Sequence, residues 1–288
     1  MKECALYTVE NSAEKSVRCS ACAHRCLIND NGRGVCGVRQ NKDGKLFLLV
    51  YGMPVSVHAD PIEKKPLYHF MPGTLTYSFG TIGCNFRCAF CQNYDISQAK
   101  RIAGKEMSPE EIVLNALKLG CKSISYTYNE PTIFIEFVKD VAVLARAKGL
   151  KNILVTNGYM TVECFEFIHK YIDAMNIDLK GDEAYYKKLC GASLKPVQET
   201  IKRAYLAGIH IEITTLVVPG ENDRIEQLER IAKFIASLDK GKGNIPWHIS
   251  RFFPMYKLEN KNPTDVRILR EAEKMGKNYL KNVHVGNV

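Results

Sequence analysis

No uninterrupted apolar run in this 288-residue chain approaches the length that crosses a bilayer, and the opening MKECALYTVE lacks the basic-then-apolar layout of a signal peptide. A cytoplasmic location with no membrane partner is therefore expected. No long repeat and no low-complexity tract is present either. The balance of 46% hydrophobic and 25% charged residues is that of a globular enzyme with one large catalytic domain and a small appendage. Nor is there a basic stripe. The formal charge of +9 comes from Lys and Arg scattered among Asp and Glu, and the 9% aromatics fall mostly in apolar helix and strand positions, which argues against a nucleic-acid partner.

Cysteine, by contrast, is plentiful. Eleven thiols in a reducing compartment argue against a disulfide framework, and the odd count agrees. Cys4, Cys121, Cys164 and Cys190 stand alone and read as small apolar residues. The rest form two groups, Cys19, Cys22, Cys26 and Cys36, then Cys84, Cys88 and Cys91, and such clustering points to metal.

From residue 75 onward strand-like runs alternate with helix-like periods: LTYSFGTI, SPEEIVLNALKLG, KSISYTY, PTIFIEFVKDVAVLARAKG, NILVTNG, VECFEFIHKY, AMNIDLK, IHIEITTLVV, a helix over 224–237, PWHIS, a helix over 265–280, and VHVGNV. Ser108 and Glu111 form a capping box with Pro109 in the first turn, and Ile112, Val113, Ala116 and Leu117 share one face. The next helix opens at Pro131, buries Phe134, Phe137, Val138, Val141 and Leu144, and ends at Gly149. Repeated βα units mean a parallel sheet. Six strands, with a seventh in the last residues, predict an α/β fold: a partial (β/α)6 TIM-like barrel over 75–288. Polar groups after apolar runs, as in Thr156-Asn157-Gly158 and Asp178-Leu179-Lys180, fit functional loops gathered at the strand C-termini. Residues 1–74 lack this rhythm and are expected as a cysteine-rich extension. It carries a hairpin around Asp43-Gly44 and a proline-bounded connection, DPIEKKPLYHFMPG.

GCNFRCAFCQN sets Cys84, Cys88 and Cys91 directly after the first barrel strand, where a loop projects into the barrel mouth. A four-iron cluster takes one thiolate per iron, so three cysteines leave one iron open to a substrate or cofactor. Structural zinc is the rival, but it draws four ligands, and this loop offers three cysteines and no histidine.

This C-x3-C-x2-C spacing, with Phe90 before the third cysteine, resembles the defining motif of the radical S-adenosylmethionine superfamily; the resemblance covers residues 75 to about 286. It implies a [4Fe-4S] cluster on Cys84, Cys88 and Cys91 whose unique iron is chelated by the amino and carboxylate groups of S-adenosylmethionine. Reductive cleavage then gives methionine and a 5′-deoxyadenosyl radical that abstracts hydrogen from substrate. The ordered series CSACAHRCLINDNGRGVCGVRQN, DPIEKKPLYHF, GCNFRCAFCQN, YTYNEPT, VTNGY, NIDLKG and LVVPGEND is similar to the branch around pyruvate formate-lyase activating enzyme, and most nearly to the radical enzymes of the AmmeMemoRadiSam system.

The resemblance carries further expectations. Tyr126, Asn129 and Glu130 end the second strand, where relatives have a glycine-rich acidic motif that holds the S-adenosylmethionine ammonium. Here there is no Gly-Gly. Glu130 is either the anionic partner or, with Asn129 as helix cap, a first-turn acid. Thr156 and Asn157 face the ligand from the third strand, Asp178 and Lys180 from the fourth. Val155 stands where several activating enzymes have an Asp for a monovalent cation, which argues against that site. Thr214-Thr215 replaces an Arg, leaving Lys180 and Arg251 to balance the cofactor carboxylate, and His248 and Arg251 are read as facing inward. Apart from the resemblance, DPIEKKPLYHF lies just before the first strand, next to the barrel entrance, so Lys65 or His69 is expected to reach the active site. Relatives often continue past the seventh strand into a cysteine-containing tail.

Partners implied are a flavodoxin- or ferredoxin-like reductant and a peptide, protein or small-molecule substrate. The alternative is a glycyl-radical activase. An iron–sulfur electron carrier or a nucleic-acid-binding module comes last, since the first needs a fully ligated cluster and the second a basic face. Cys19, Cys22, Cys26 and Cys36, spaced C-x2-C-x3-C-x9-C with His24 among them, have the number a closed zinc site wants; an auxiliary iron–sulfur cluster and unmetallated thiols are the other readings.

Overall fold

The computed structural model describes residues 1–288. Strands β1 (Ser56–Pro61), β2 (Leu75–Gly80), β3 (Ser123–Tyr126), β4 (Lys151–Thr156), β5 (Ala174–Asp178), β6 (His210–Val217), β7 (Trp247–Arg251) and β8 (Val283–Gly286) pair in that order into one eight-stranded sheet. β1 runs antiparallel to β2, and every later pair is parallel. β1 and β8 are the free edges, so the curved sheet is an open barrel. The run VHVGNV does supply the last parallel strand.

Six helices follow the strands: α1 (Pro109–Lys118), α2 (Ile135–Ala147), α3 (Val162–Ile168), α4 (Leu194–Leu206), α5 (Ile225–Leu238) and α6 (Val266–Gly276). The capping box of α1 forms as expected: Ser108 Oγ accepts from Glu111 N at 3.2 Å, and Glu111 Oε2 accepts from Ser108 N at 2.7 Å. Leu117 is exposed and Leu144 half-buried, so the buried stripes of α1 and α2 are narrower than their apolar residues suggest. Helix α4 has no counterpart in the sequence reading. It opens on Leu-Lys-Pro without a side-chain cap, and only the spacing of Val197, Thr200, Ile201 and Ala204 marks its buried face.

The first fifty residues form two three-stranded antiparallel sheets. One orders Lys2–Glu3, Lys45–Leu48 and Arg39–Lys42; the other orders Tyr7–Asn11, Ser16–Cys19 and Leu27–Ile28. Asp43 and Gly44 both take positive φ in the expected hairpin, as the right-handed twist of a two-residue turn requires. This lobe shares one continuous core with the barrel.

The boundary expected at residue 74 is not where the sheet begins. β1 belongs to the main sheet, and residues 62–71 cross the barrel interior. Asn176 Nδ2 of β5 donates to Pro66 O at 2.8 Å, and Glu212 of β6 accepts the backbone N–H groups of Tyr68 and His69 at 3.1 and 2.8 Å. What reads as a charged connection is an inserted strap. No helix is long and apolar enough to cross a membrane.

Candidate functional site: a three-cysteine loop over the strand C-termini

Gly80 ends β2 where β3 also ends, and the two chains touch. A Cβ on Gly80 would lie 2.4 Å from Thr127 O, so only glycine fits. Asn129 holds the chain that follows: its Oδ1 accepts from Thr81 N at 3.2 Å, and its Nδ2 donates to Thr81 Oγ1 at 3.1 Å and Gly83 O at 2.8 Å. Gly83 has φ +89°, and a Cβ there would lie 2.6 Å from Cys36 O. The cysteine loop is pinned from beneath by Arg87 N to Cys190 O at 2.8 Å and Ala89 N to Leu189 O at 2.9 Å. Cys84, Cys88 and Cys91 then all line one cavity of about 700 Å³ at the C-terminal ends of the parallel strands.

The opposite wall comes from β3, β4 and β5. Glu130 is 1% exposed, and its carboxylate ties two strand ends together. Oε1 accepts from Thr132 N (3.0 Å), Thr132 Oγ1 (2.5 Å) and Thr156 Oγ1 (2.7 Å); Oε2 accepts from Asn157 N (2.7 Å). Burial outweighs these donors and leaves its pKa above the usual carboxylate value. Asn157 Nδ2 donates in turn to Asn85 Oδ1 at 2.8 Å, joining the β4 loop to the cysteine loop. From β5, Lys180 Nζ pairs with Asp178 Oδ2 at 2.7 Å and lies 5.7 Å from the Phe90 ring centroid. Burial opposes the Lys180 charge, but Asp178 and the sulfurs of Cys88 and Cys190 hold its pKa above the usual value.

Residues 79–235, more than half of the chain, match the Radical SAM superfamily. The chain belongs to that superfamily. It is a radical SAM enzyme, and the family's [4Fe-4S] cluster and S-adenosylmethionine are its cofactors. A protein of Methanocaldococcus jannaschii with no assigned activity is 44% identical over 291 residues, covering all of this chain and 86% of that one. Pyruvate formate-lyase-activating enzyme of Clostridium pasteurianum is 25% identical over 224 residues, covering 73% of this chain and 92% of that enzyme. Among solved structures, Streptococcus suis SuiB bound to S-adenosylmethionine superposes with a TM-score of 0.57 at 17% identity, over 78% of this chain and 52% of SuiB, a likeness of fold.

The donor set fits the radical SAM cluster. No three His, Cys, Asp or Glu side chains converge on a single-ion point, whereas the ligands of a multi-iron cluster each bind a separate iron. The Cys84 thiol is pushed well up by burial, then by the charges of Glu130, Cys88 and Cys91. Contact with Cys190 and burial push Cys88 up, and burial raises Cys91, which Ser97 Oγ, 3.2 Å from its Sγ, partly offsets. Thiolates facing one another in this cavity call for the positive charge that iron brings.

Of the other residues the sequence singled out, Phe90, Asn129, Glu130, Thr156, Asn157, Asp178, Lys180 and His248 line the cavity; Tyr126 and Arg251 do not. Tyr126 is buried in the core with its hydroxyl on Asn152 Oδ1 at 2.9 Å, because the strand pleat turns it away. Arg251 Nε donates to Thr264 O at 2.8 Å, and its guanidinium packs over Phe253, so Lys180 is the cation left on the cavity wall from that pair. His248 is held by Glu212, with Nε2 2.6 Å from Oε2. Lys65 lines the cavity, while His69 points away from it to His284, with 2.8 Å between their Nε2 atoms.

The sequence reading passed over Asp60, Tyr128 and Ser97. Lys65 Nζ and Tyr128 OH meet Asp60 Oδ2 at 2.8 and 2.9 Å, and Tyr128 stands at φ +70°. Burial opposes charge on Asp60, but its bonds to Lys65 and Tyr128 pull its pKa down to about 2. YTYNEPT contained the signal for Tyr128, since the first residues past a barrel strand are those that reach the mouth. Nothing in the sequence marks Asp60 or Ser97.

Proposed function

We propose that Cys84, Cys88 and Cys91 hold the [4Fe-4S] cluster and that S-adenosylmethionine binds against Glu130, Thr156, Asn157, Asp178 and Lys180. The observation that carries this reading is the single cavity lined by all eight of these residues. When bound and reduced, the cluster and S-adenosylmethionine supply a 5′-deoxyadenosyl radical that takes hydrogen from a substrate. The chain's own residues bind and orient. Glu130 keeps one acceptor position on Oε2 for an ammonium, and Lys180 offers the cation for a carboxylate. Phe90, Phe86 and Leu216 supply the apolar part of a wall that keeps water from a reactive radical. The electron comes from a flavodoxin- or ferredoxin-like protein.

The substrate is a peptide, protein or small molecule. A second reading, activation of a glycyl-radical protein, is favoured by the likeness to an activating enzyme across nearly the whole length of that enzyme. Anaerobic reconstitution with iron and sulfide, reduction with dithionite and addition of S-adenosylmethionine tests the chemistry. Wild type should form 5′-deoxyadenosine and Cys88→Ala should not; equal product from both would overturn the assignment of the loop.

A further inference from the structure

The N-terminal cysteine lobe packs against the three-cysteine loop, and its cysteines lie outside the lining of the cavity. Cys19 and Cys26 face each other across the end of an antiparallel pair, with Cys19 N donating to Cys26 O at 2.9 Å. Cys22 lies in the turn between them. Residues 34–39 fold back over this turn: Gly37 N donates to Gly34 O at 2.9 Å, and Gly34 N to Arg39 O at 3.0 Å. Ile28 Cδ1 and Cys26 Sγ lie 3.4 and 3.6 Å from where a Cβ on Gly34 would stand, so the second turn, which carries Cys36, packs against the first.

The four sulfurs are neighbours without converging. No three of these side chains meet at a single-ion point, and none of the four is in a disulfide. A closed zinc site needs all four sulfurs within about 2.3 Å of one ion. The loop cysteines, ligands of a multi-iron cluster in the reading above, show the same lack of convergence. His24, the alternative zinc ligand, is engaged elsewhere: its Nε2 is 2.8 Å from Asn85 O, and its ring packs on Tyr159.

We propose that Cys19, Cys22, Cys26 and Cys36 hold a second four-iron cluster, fully ligated by thiolates and therefore without an open iron for S-adenosylmethionine. The lobe that carries it braces the first cluster's loop. Arg87 donates to Val35 O, His24 meets Asn85 O, and Gly83 abuts Cys36 O. Cys22 also bridges to Met160, and Ala23 N donates to Tyr159 O at 3.0 Å, fastening the lobe to the chain after β4.

The test is a metal and sulfide count on full-length chains reconstituted anaerobically with iron, sulfide and zinc all supplied, with folding checked by circular dichroism. The Cys84→Ala/Cys88→Ala/Cys91→Ala variant, whose lobe is untouched, should keep about four irons and about four sulfides per chain, and wild type about eight of each. The complementary four-serine variant at Cys19, Cys22, Cys26 and Cys36 should keep about four. A loop-triple variant that folds but holds no iron, whether it takes up zinc or nothing, overturns the proposal. If the four-serine variant fails to fold, the loop-triple count decides alone. Failure of the loop assignment reads differently: S-adenosylmethionine cleavage would then survive in the loop-triple variant.

Discussion

Asn157 N donates to Glu130 Oε2 at 2.7 Å, so one buried carboxylate joins the end of β3 to the end of β4 at the floor of the cavity. Three further donors on Oε1 make Glu130 the hub of that floor. Its acidic character was legible from YTYNEPT, but its saturation by neighbours was not.

Glu130→Ala should therefore act on both fold and cofactor. It leaves four buried donors without their acceptor, a loss of about 2–4 kcal/mol in unfolding free energy. Glu130→Gln keeps the shape and one acceptor oxygen, and should cost less while still weakening S-adenosylmethionine binding about tenfold at unchanged iron content. Urea unfolding and equilibrium binding to the reconstituted protein separate the two effects. Tight binding by Glu130→Gln would remove the carboxylate from the cofactor's partners.

Arg39 and Glu136 anchor the N-terminal lobe to α2. Their Nη2 and Oε2 atoms are 2.5 Å apart with both side chains almost wholly buried, and Arg39 Nε donates to Ile133 O at 3.0 Å. Breaking such a pair from one side should cost about 3–5 kcal/mol. Arg39→Met and Glu136→Gln are each expected to destabilise strongly, with the double variant well short of the sum, and to open the lobe to limited proteolysis. Additive losses would mean that the two side chains do not act as a pair.

Glu212 gives the fold its acid sensitivity. Burial opposes its charge, but bonds from His210, His248 and the His69 backbone outweigh that and pull its pKa to about 2, from an ordinary 4.5. A carboxylate with a depressed folded pKa contributes stability above its ordinary value and loses it as pH falls from 4.5 toward 2. The loss from this group is about 1 kcal/mol by pH 4 and about 2 kcal/mol by pH 3. Glu212→Gln should be less stable than wild type at pH 7 yet lose less on acidification. Urea midpoints of the metal-free protein across that range check it; parallel pH profiles would count against the role.

Lys65 distinguishes the strap from a surface connection. Its ammonium is 4% exposed, pairs with Asp60 and lies 4.6 Å from the Tyr128 ring centroid. Lys65→Ala should cost about 3 kcal/mol and depress 5′-deoxyadenosine formation, while His69→Ala, outside the cavity, should leave that rate within about twofold. Equal effects of the two on the rate would contradict the placement of the strap.

Parallel pairing of the strands from residue 75 on, the α1 capping box and the Asp43-Gly44 hairpin all follow from local pattern, since period and turn chemistry are written within a few residues; antiparallel β1, read as part of the extension, did not. Residues that depend on long-range register were less legible. Tyr126 and Arg251 were expected at the cofactor because they sit in or near the right strands, but pleat and loop packing turn both aside. The strap, with Asp60 and Tyr128 gathered round Lys65, was hidden because DPIEKKPLYHF has the composition of a solvated turn. Helix α4 was missed because its stripe is interrupted by Thr200, although Ser193 stands at its N-cap.

The most direct measurement of the central claim is the electron paramagnetic resonance spectrum of the reduced, reconstituted protein before and after S-adenosylmethionine is added, in wild type and in the Cys84→Ala/Cys88→Ala/Cys91→Ala variant. An open iron on the loop cluster predicts that the cofactor shifts the wild-type spectrum and leaves the variant's unchanged. A well-formed wild-type cluster whose spectrum does not respond would contradict it.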